Sequence, residues 1–326
     1  MARLELLAPA KDLACGIAAI DCGADAVYIG APRFGARANA GNPVADIAAL
    51  CAYAHQYWAR VYVTINTLLR DDELHDAVAL MWELSAAGVD GFIIQHVGLL
   101  ECELPPLPLI ASTQMHNHTP ARVRFLQQIG FSRAILAREL TLDEIARLHE
   151  AVPQIELEAF IHGALCVCYS GQCYLSHARG GRSGNRGDCA QPCRLRYTLV
   201  DREGSVVAGP AHMLSLKDLN HSASLEQMIA AGVTCFKIEG RLKDRAYVMN
   251  TVAFYRAKLD ALIARGVHQR SSSGASQPGF APDVRKSFNR GFTSYFLHGR
   301  AAKMGAHATP KSLGEPLGPV RCADGT

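Results

Sequence analysis

Five cysteines fall within the 28 residues from Cys166 to Cys193, and four of them, Cys166, Cys173, Cys189 and Cys193, form a C-x6-C-x15-C-x3-C array. Thiolates gathered on a loop are what a soft metal or an iron-sulfur cluster requires, since such a centre is indifferent to how far apart its sulfur ligands lie in sequence. The array follows an apolar run from Leu157 to His162 and a turn at Gly163 and Ala164, so the loop begins at the end of a buried strand. Arginines accompany it. From His177 to Arg202 the chain carries Arg179, Arg182, Arg186, Arg194, Arg196 and Arg202 against Asp188 and Asp201, with no lysine. Guanidinium groups on a glycine-rich loop can grip phosphates with two-pronged hydrogen bonds. The competing reading has the same arginines paired with carboxylates of the fold, seating the loop.

The rest of the chain sets bounds on this chemistry. Its 326 residues, 49% of them hydrophobic, suffice for one large core. The opening MARLELLAPA carries Arg3 and Glu5 where a secretory segment would be apolar, and no run of about 18 apolar residues occurs. The expectation is a soluble, cytoplasmic protein with no membrane partner. Eleven cysteines without a secretory signal argue for metal binding or buried thiols over a disulfide framework. Cys15, Cys22, Cys51 and Cys102, set among Ala and Leu at helical spacing, read as core residues. A net charge of +3 is too small by itself to announce a nucleic-acid partner.

Short β-branched runs alternate with helical patterns. Strands are predicted at 4–7, 26–30, 61–66, 91–95, 109–112, 134–137, 156–162 and 234–239. Helices are predicted at 11–22, 44–58, 71–87, 120–129, 142–149, 225–231 and 244–265. Gly-Ala-Asp-Ala at 23–26 and Gly-Val-Asp-Gly at 88–91 repeat one device, a glycine helix stop followed at once by a strand. Eight strands in β/α alternation predict an α/β fold, a parallel (β/α)8 TIM-like barrel with the cysteine-rich loop inserted after the seventh strand. Ala8-Pro9-Ala10 stands where a dinucleotide-binding sheet would carry its glycine fingerprint.

In such a barrel the residues just past the strand C-termini share one mouth. That rule gathers Tyr28, Asn66, Gln95, Ser112, Gln114, Arg138, Glu139, His162, the cysteine loop, Lys237, Glu239 and Arg241. Glu158, His162, Lys237, Glu239 and Arg241 are the catalytic candidates. Asn66, Gln95, Ser112, Gln114 and Arg138 are the substrate-binding candidates, joined by Arg179, Arg182 and Arg186 if a nucleic-acid backbone is bound. Arg138 and Glu139 can alternatively close an ion pair. Met115-His116-Asn117-His118 offers two imidazoles at strand-like spacing, with no adjacent carboxylate to complete a metal site. No H-E-x-x-H helix or G-x-S-x-G elbow occurs, and Tyr169-Ser170-Gly171 with His162 as base lacks an orienting acid.

The segment from Glu158 to Cys166, EAFIHGALC, and the following SGQCYLS at 170–176 resemble the signature of the collagenase-like peptidase family U32. APAKDL at 8–13, GADAVYIGAPRFGAR at 23–37, ASTQ at 111–114, LAREL at 136–140, NRGDCAQPCR at 185–194, SLKDL at 215–219, KIEGRLKD at 237–244 and FNRGF at 288–292 agree with it. The resemblance extends over about 4–320 and is greatest to the subgroup that hydroxylates a 23S ribosomal RNA cytidine to 5-hydroxycytidine. Sister subgroups modify the tRNA wobble uridine or hydroxylate the ubiquinone ring.

It implies that Cys166, Cys173, Cys189 and Cys193 ligate a 4Fe-4S cluster, with zinc or empty thiols as the state of an oxidised preparation, that Cys168 is a bystander, and that Cys235 is a strand residue that could at most substitute. Gln95-His96 departs from the Gln-Asp pair of relatives, which removes an acid there. Implied partners are ribosomal RNA or its precursor and a small carboxylate metabolite, prephenate, as oxygen source, held by Arg138, Lys237 or Arg241. The inherited family name implies a peptidase instead, for which the chain shows no protease machinery. The domain reading is a barrel at 1–268 with the cysteine-rich insertion at 163–222, an extension at 269–310, and at 311–326 the start of a β-domain that the resemblance implies to be truncated.

Overall fold

A computed structural model of the protein describes residues 2–37, 40–300 and 303–314. Eight parallel strands close on themselves. They are β1 (Ala2–Ala10), β2 (Ala26–Gly30), β3 (Arg60–Ile65), β4 (Gly91–Ile94), β5 (Leu109–Ala111), β6 (Arg133–Ile135), β7 (Glu156–Gly163) and, past the insertion, β11 (Val233–Ile238). β11 pairs with both β7 and β1, which completes the barrel predicted from the alternation. All eight predicted strands are present, displaced at their ends by up to three residues.

Local sequence explains the helices between them. α1 (Leu13–Asp21) starts where the Asp12 carboxylate accepts from Cys15 N–H, and α2 (Val44–His55) and α3 (Leu74–Ala86) lie on the next two crossovers. α4 (Pro120–Gln128) has Thr119 as its cap and proline in its first turn, while α5 (Leu142–Ala151) opens with a Thr141–Glu144 capping box. Gly23 (φ 102°) and Gly88 (φ 91°) end α1 and α3 in a conformation that other residues reach only with strain. Apolar side chains of these helices and of the later α7 (Leu225–Ala230) and α8 (Arg245–Ile263) pack on the outside of the strands, in one continuous core with Val27, Val63, Phe92, Ile161 and Ile238.

Between β7 and β11 the chain is more ordered than a loop. It contains α6 (Leu175–Gly180), an antiparallel hairpin of β8 (Tyr197–Val200) and β9 (Val206–Ala211), and β10 (Asp218–Asn220), which runs antiparallel to the end of β7. After α8, β12 (His268–Arg270) pairs with the start of β1, and β13 (Phe292–Thr293) pairs with β10. Periodicity could not reveal these pieces, because they are short and, apart from β10, largely exposed. Of the segment expected to open a further β-domain, 315–326 lies outside the described residues.

Barrel interiors are ordinarily filled by branched apolar side chains. Here the upper layers conform, with Leu7, Tyr28, Tyr62, Ile93, Ile110, Ile135 and Phe160 in one cluster. The lower layer is charged: Arg133 Nη1 lies 2.6 Å from Glu5 and 3.3 Å from Glu158, and Tyr62 donates to Glu5 at 3.2 Å. Burial raises the Glu5 pKa, but Arg133 and Arg60 outweigh it and hold the carboxyl below its ordinary 4.5. The stability that Glu5 contributes is therefore complete above pH 4.5 and is lost as pH falls through the depressed value. Arg133→Ala leaves two carboxylates buried without their shared cation. It is expected to cost about 3–5 kcal/mol in urea unfolding, with the variant regaining part of the loss at mildly acidic pH.

Candidate active site beneath the cysteine lid

β11 delivers Lys237 to the barrel axis opposite Phe160 of β7. Its Nζ donates to Glu158 Oε1 at 2.7 Å and stands 4.1 Å from the centre of the Tyr28 ring. Alternating charge thus runs up the axis from Glu5 through Arg133 and Glu158 to Lys237, the arrangement that lets ions persist in a low-dielectric interior. Glu158 has no solvent exposure and touches Arg133, Lys237 and Cys235. The structure thus places Glu158, one of the catalytic candidates, at the buried base of the site, where it positions Lys237.

Above Lys237, at the C-terminal end of β11, sits Glu239. Burial works to raise its pKa, and Arg37, Arg241, Arg138 and Lys237 together hold it below the ordinary value. It is an ionised acceptor surrounded by cations. Arg241 is buried, donates to Thr64 Oγ1 at 2.8 Å, and lies 5.5 Å over the Tyr28 ring, while its Nε has no partner. Tyr28 is fixed in turn by its hydroxyl on the Ile238 carbonyl. Arg37, in the loop between β2 and α2, was not singled out by sequence reasoning. Burial disfavours its charge, but Glu239, Cys166 and Cys189 outweigh this and raise its pKa. Arg37 therefore lies within electrostatic reach of both the barrel acid and the cysteine lid. Its signal was positional, a charge shortly after a strand end in the GAPRFGAR segment.

The amide candidates converge on the same mouth. Asn66 accepts from Ala36 N–H at 2.9 Å and donates to Ser112 Oγ at 3.3 Å, and Ser112 also takes the Gln114 N–H. Gln95 donates to the Gln114 carbonyl at 3.4 Å, leaving its buried Oε1 unpartnered. His96 is turned away from an acidic role, accepting from Leu69 N–H.

The insertion forms a lid over this mouth and is pinned at several points. Gly171 (φ 73°) lies against the Gln114 carbonyl so closely that a Cβ would collide with it. Ser170 N–H and Oγ both donate to Glu139, while Arg138 donates to Ser170 Oγ at 3.2 Å, so Arg138 and Glu139 clasp the lid and do not pair with each other. Arg194 holds Ser215 and the carbonyls of Leu165 and Leu216. Arg186 grips Glu73 through two hydrogen bonds of 2.9 and 2.7 Å and reaches the Leu68 carbonyl. Arg182 pairs with Asp188, and Arg179 lies 5.7 Å over the Tyr197 ring. Arg186 thus ties the insertion to the barrel through Glu73, whereas the Arg182–Asp188 pair lies within the insertion and is exposed.

Cys193 lies within electrostatic reach of Cys166, Cys189 and Cys173, and burial raises its pKa. Burial and a hydrogen bond with Cys173 push Cys168 up to about 12. Among the described residues no three His, Cys, Asp or Glu side chains come close enough to hold a single metal ion. A tetrahedral zinc would need all sulfurs at about 2.3 Å from one point. Thiolates are also the donors that an iron-sulfur cluster takes, and Cys193 has Cys166, Cys189 and Cys173 as electrostatic neighbours.

His162 stands apart. A register shift between Lys237 and Ile238 turns it outward beside Ile238, where it meets Tyr255 at 3.2 Å and packs near Phe292. Burial drives its pKa down to about 3. It is a neutral wall residue bonded to Tyr255, while Ser170 Oγ is bonded to Arg138 and Glu139, so the Ser-His arrangement considered from sequence does not form.

A closed parallel barrel whose mouth is roofed by a cysteine lid defines the class of protein. Peptidase family U32 matches residues 11–306, and the chain belongs to that family. It is 52% identical over 319 residues to the 23S rRNA 5-hydroxycytidine C2501 synthase of Escherichia coli (strain K12), covering 98% of this chain and 49% of that protein. It is 34% identical over 307 residues to an uncharacterized protease of Methanocaldococcus jannaschii, covering 91% of this chain and 73% of that one. With the tRNA hydroxylation protein P1 of Bacillus subtilis (strain 168) it shares 37% over 270 residues, 80% of this chain and 64% of the relative. The chain spans about half the length of the Escherichia coli relative. Among the described residues no helix is long and apolar enough to cross a membrane.

Arg186→Gln tests how the lid is seated. The pair with Glu73 is partly exposed, so a loss of no more than about 1 kcal/mol in global stability is expected, together with faster amide exchange across 182–190. The Arg186 hydrogen bond holds the Glu73 carboxyl down to about 2. The clasp is therefore complete above the ordinary carboxylate range and opens as pH falls through about 2.

Proposed function

We propose that the protein hydroxylates a nucleobase in RNA, a 23S ribosomal RNA cytidine becoming 5-hydroxycytidine. The observation that carries this reading is the 52% identity to the Escherichia coli synthase, sustained across barrel and lid together. The target base must be single-stranded or drawn from its stack, because the C5 edge of a paired base is poorly accessible in A-form RNA. Glu239, ionised and aimed into the mouth, is suited to accept from the cytosine amino group, the preference of carboxylates among bases. The unpartnered Gln95 Oε1 is a second acceptor.

Cys166, Cys173, Cys189 and Cys193 would hold a 4Fe-4S cluster in the lid. Bound there, it would supply electron relay or Lewis acidity beside Arg37. Arg37, Arg138 and Arg241 form a cationic rim with Glu239 as their common counter-charge. A small carboxylate metabolite, with prephenate as the proposed oxygen source, would use these guanidinium groups in two-pronged contacts. Lys237 is committed to Glu158 and so fits a positioning role below that ligand. The protein acts in this reading where ribosomal RNA is made, in the cytoplasm.

Nucleoside mass spectrometry of ribosomal and transfer RNA from cells with and without the gene is the direct test. Loss of 5-hydroxycytidine from ribosomal RNA alone is expected; unchanged RNA in both pools overturns the proposal. Glu239→Gln is expected to lower kcat/KM by about 10- to 150-fold, the worth of one hydrogen bond to a charged acceptor. In protein purified without oxygen, alanine at Cys166, Cys173, Cys189 or Cys193 is expected to remove iron and the absorption of the cluster, while Cys168→Ala retains both.

A further inference from the structure

Outside the mouth proper, one group of rings is unexplained by anything above. His116 adopts a left-handed conformation (φ 56°), uncommon for a residue with a side chain, just after the short turn Thr113–Met115 that carries Gln114. Its imidazole stacks on His118 with ring centres 4.0 Å apart and 32° between planes. Tyr169 lies near the same ring, 5.8 Å centre to centre with 56° between planes. Tyr169 is 65% exposed, although its neighbour Ser170 is completely buried and bonded to Arg138 and Glu139. A large ring is thus held out in solvent on a backbone that is fixed at the next residue.

The Nδ1 atom of His116 is buried and has no hydrogen-bond partner. No third ligand joins the two histidines, so the metal reading of the His-Asn-His segment has no support among the described residues. Burial and the proximity of His118 lower the His116 pKa, which keeps the inner ring neutral. Arg122, exposed in the first turn of α4, lies within electrostatic reach of the same imidazole. Three π-faces and a guanidinium therefore sit together at the edge of the mouth, next to the lid.

We propose that His118, His116 and Tyr169 form a stacking platform for bases flanking the target nucleotide in single-stranded RNA, with Arg122 on the phosphate backbone. The inference rests on the RNA reading above and assigns it an entry side, the junction between the lid and the loop after β5. Each unpaired base has a face to offer, so stacking on aromatic rings binds strand without demanding sequence, and arginine supplies the charge complement. Such a platform would hold the neighbours stacked while one base enters the mouth.

The experiment measures binding of the 326-residue protein to a fluorescent ten-nucleotide single-stranded RNA and to the same RNA as a duplex. Tyr169→Ala and His118→Ala are each expected to weaken single-strand binding by about 5- to 150-fold, the range of losing one base-aromatic stack. Tyr169→Phe and Tyr169→Trp are expected to retain it, and duplex binding is expected to change little in any variant. Arg122→Gln is expected to flatten the salt dependence by about one phosphate contact. His118 is exposed and outside the lid, so its variant reports on stacking even if Tyr169→Ala disturbs the cysteines. Wild-type protein that binds RNA, with Tyr169→Ala and His118→Ala binding equally well, overturns the platform and leaves the RNA reading standing. Wild-type protein with no affinity for either RNA overturns both.

Discussion

The buried line of charges Glu5, Arg133, Glu158 and Lys237 is the constraint to which the rest of the barrel is fitted. Two carboxylates and two cations share a space from which water is excluded, and each is tolerable only because its neighbour has the opposite sign. The strands that carry them, β1, β6, β7 and β11, must keep the register that brings these side chains to one axis. A shift of one residue on any of them would send the charge into the apolar layer outside. Replacing such a line by hydrocarbon is commonly neutral or stabilising in proteins, so its value here lies in what it places at the top. Lys237 emerges under Tyr28 and below Glu239, fixed in direction by Glu158.

From that base the electrostatics of the mouth follow. Arg37, Arg138 and Arg241 have Glu239 as a shared counter-charge, which leaves the rim cationic and the acid ionised. The lid adds thiols at the edge of this field and is held there by backbone contacts as much as by charge. Gly171 on Gln114, Ser170 on Glu139 and Arg186 on Glu73 tie it to three different loops of the barrel. A lid so tied brings its cysteines to the mouth as part of the fold.

The barrel was legible because each strand is a nearly continuous apolar run bounded by a helix stop, and because strand ends share one face by geometry. By the same rule Asn66, Gln95, Ser112, Gln114, Arg138, Glu239 and Arg241 came together as the sequence predicted. The rule failed where local backbone departs from it. His162 belongs to the strand end, but an irregular register with β11 turns it to the outer wall. Glu158 is one turn of the pleat too low. Arg37 was missed because it lies several residues into a loop, where strand position no longer says which way a side chain points. The arginines of the insertion could be read for composition only; their carboxylate partners Glu73 and Asp188 are a matter of tertiary contact for one and of loop shape for the other.

The position of the lid in the chain also sets an order of assembly. The seam between β7 and β11 closes the barrel, yet about 70 residues, the lid and α7, separate the two strands, and loop-closure entropy makes such a late contact the costly one. Without β11 the first seven strands can form no more than an open sheet, because β1 and β7 lack the partner they share. β10 covers only the last two residues of β7, His162 and Gly163, so β11 must supply the rest of that edge. The chain must therefore span the whole roof before it can shut the wall, and the strand that shuts it is the one that brings Lys237 to the top of the charged axis.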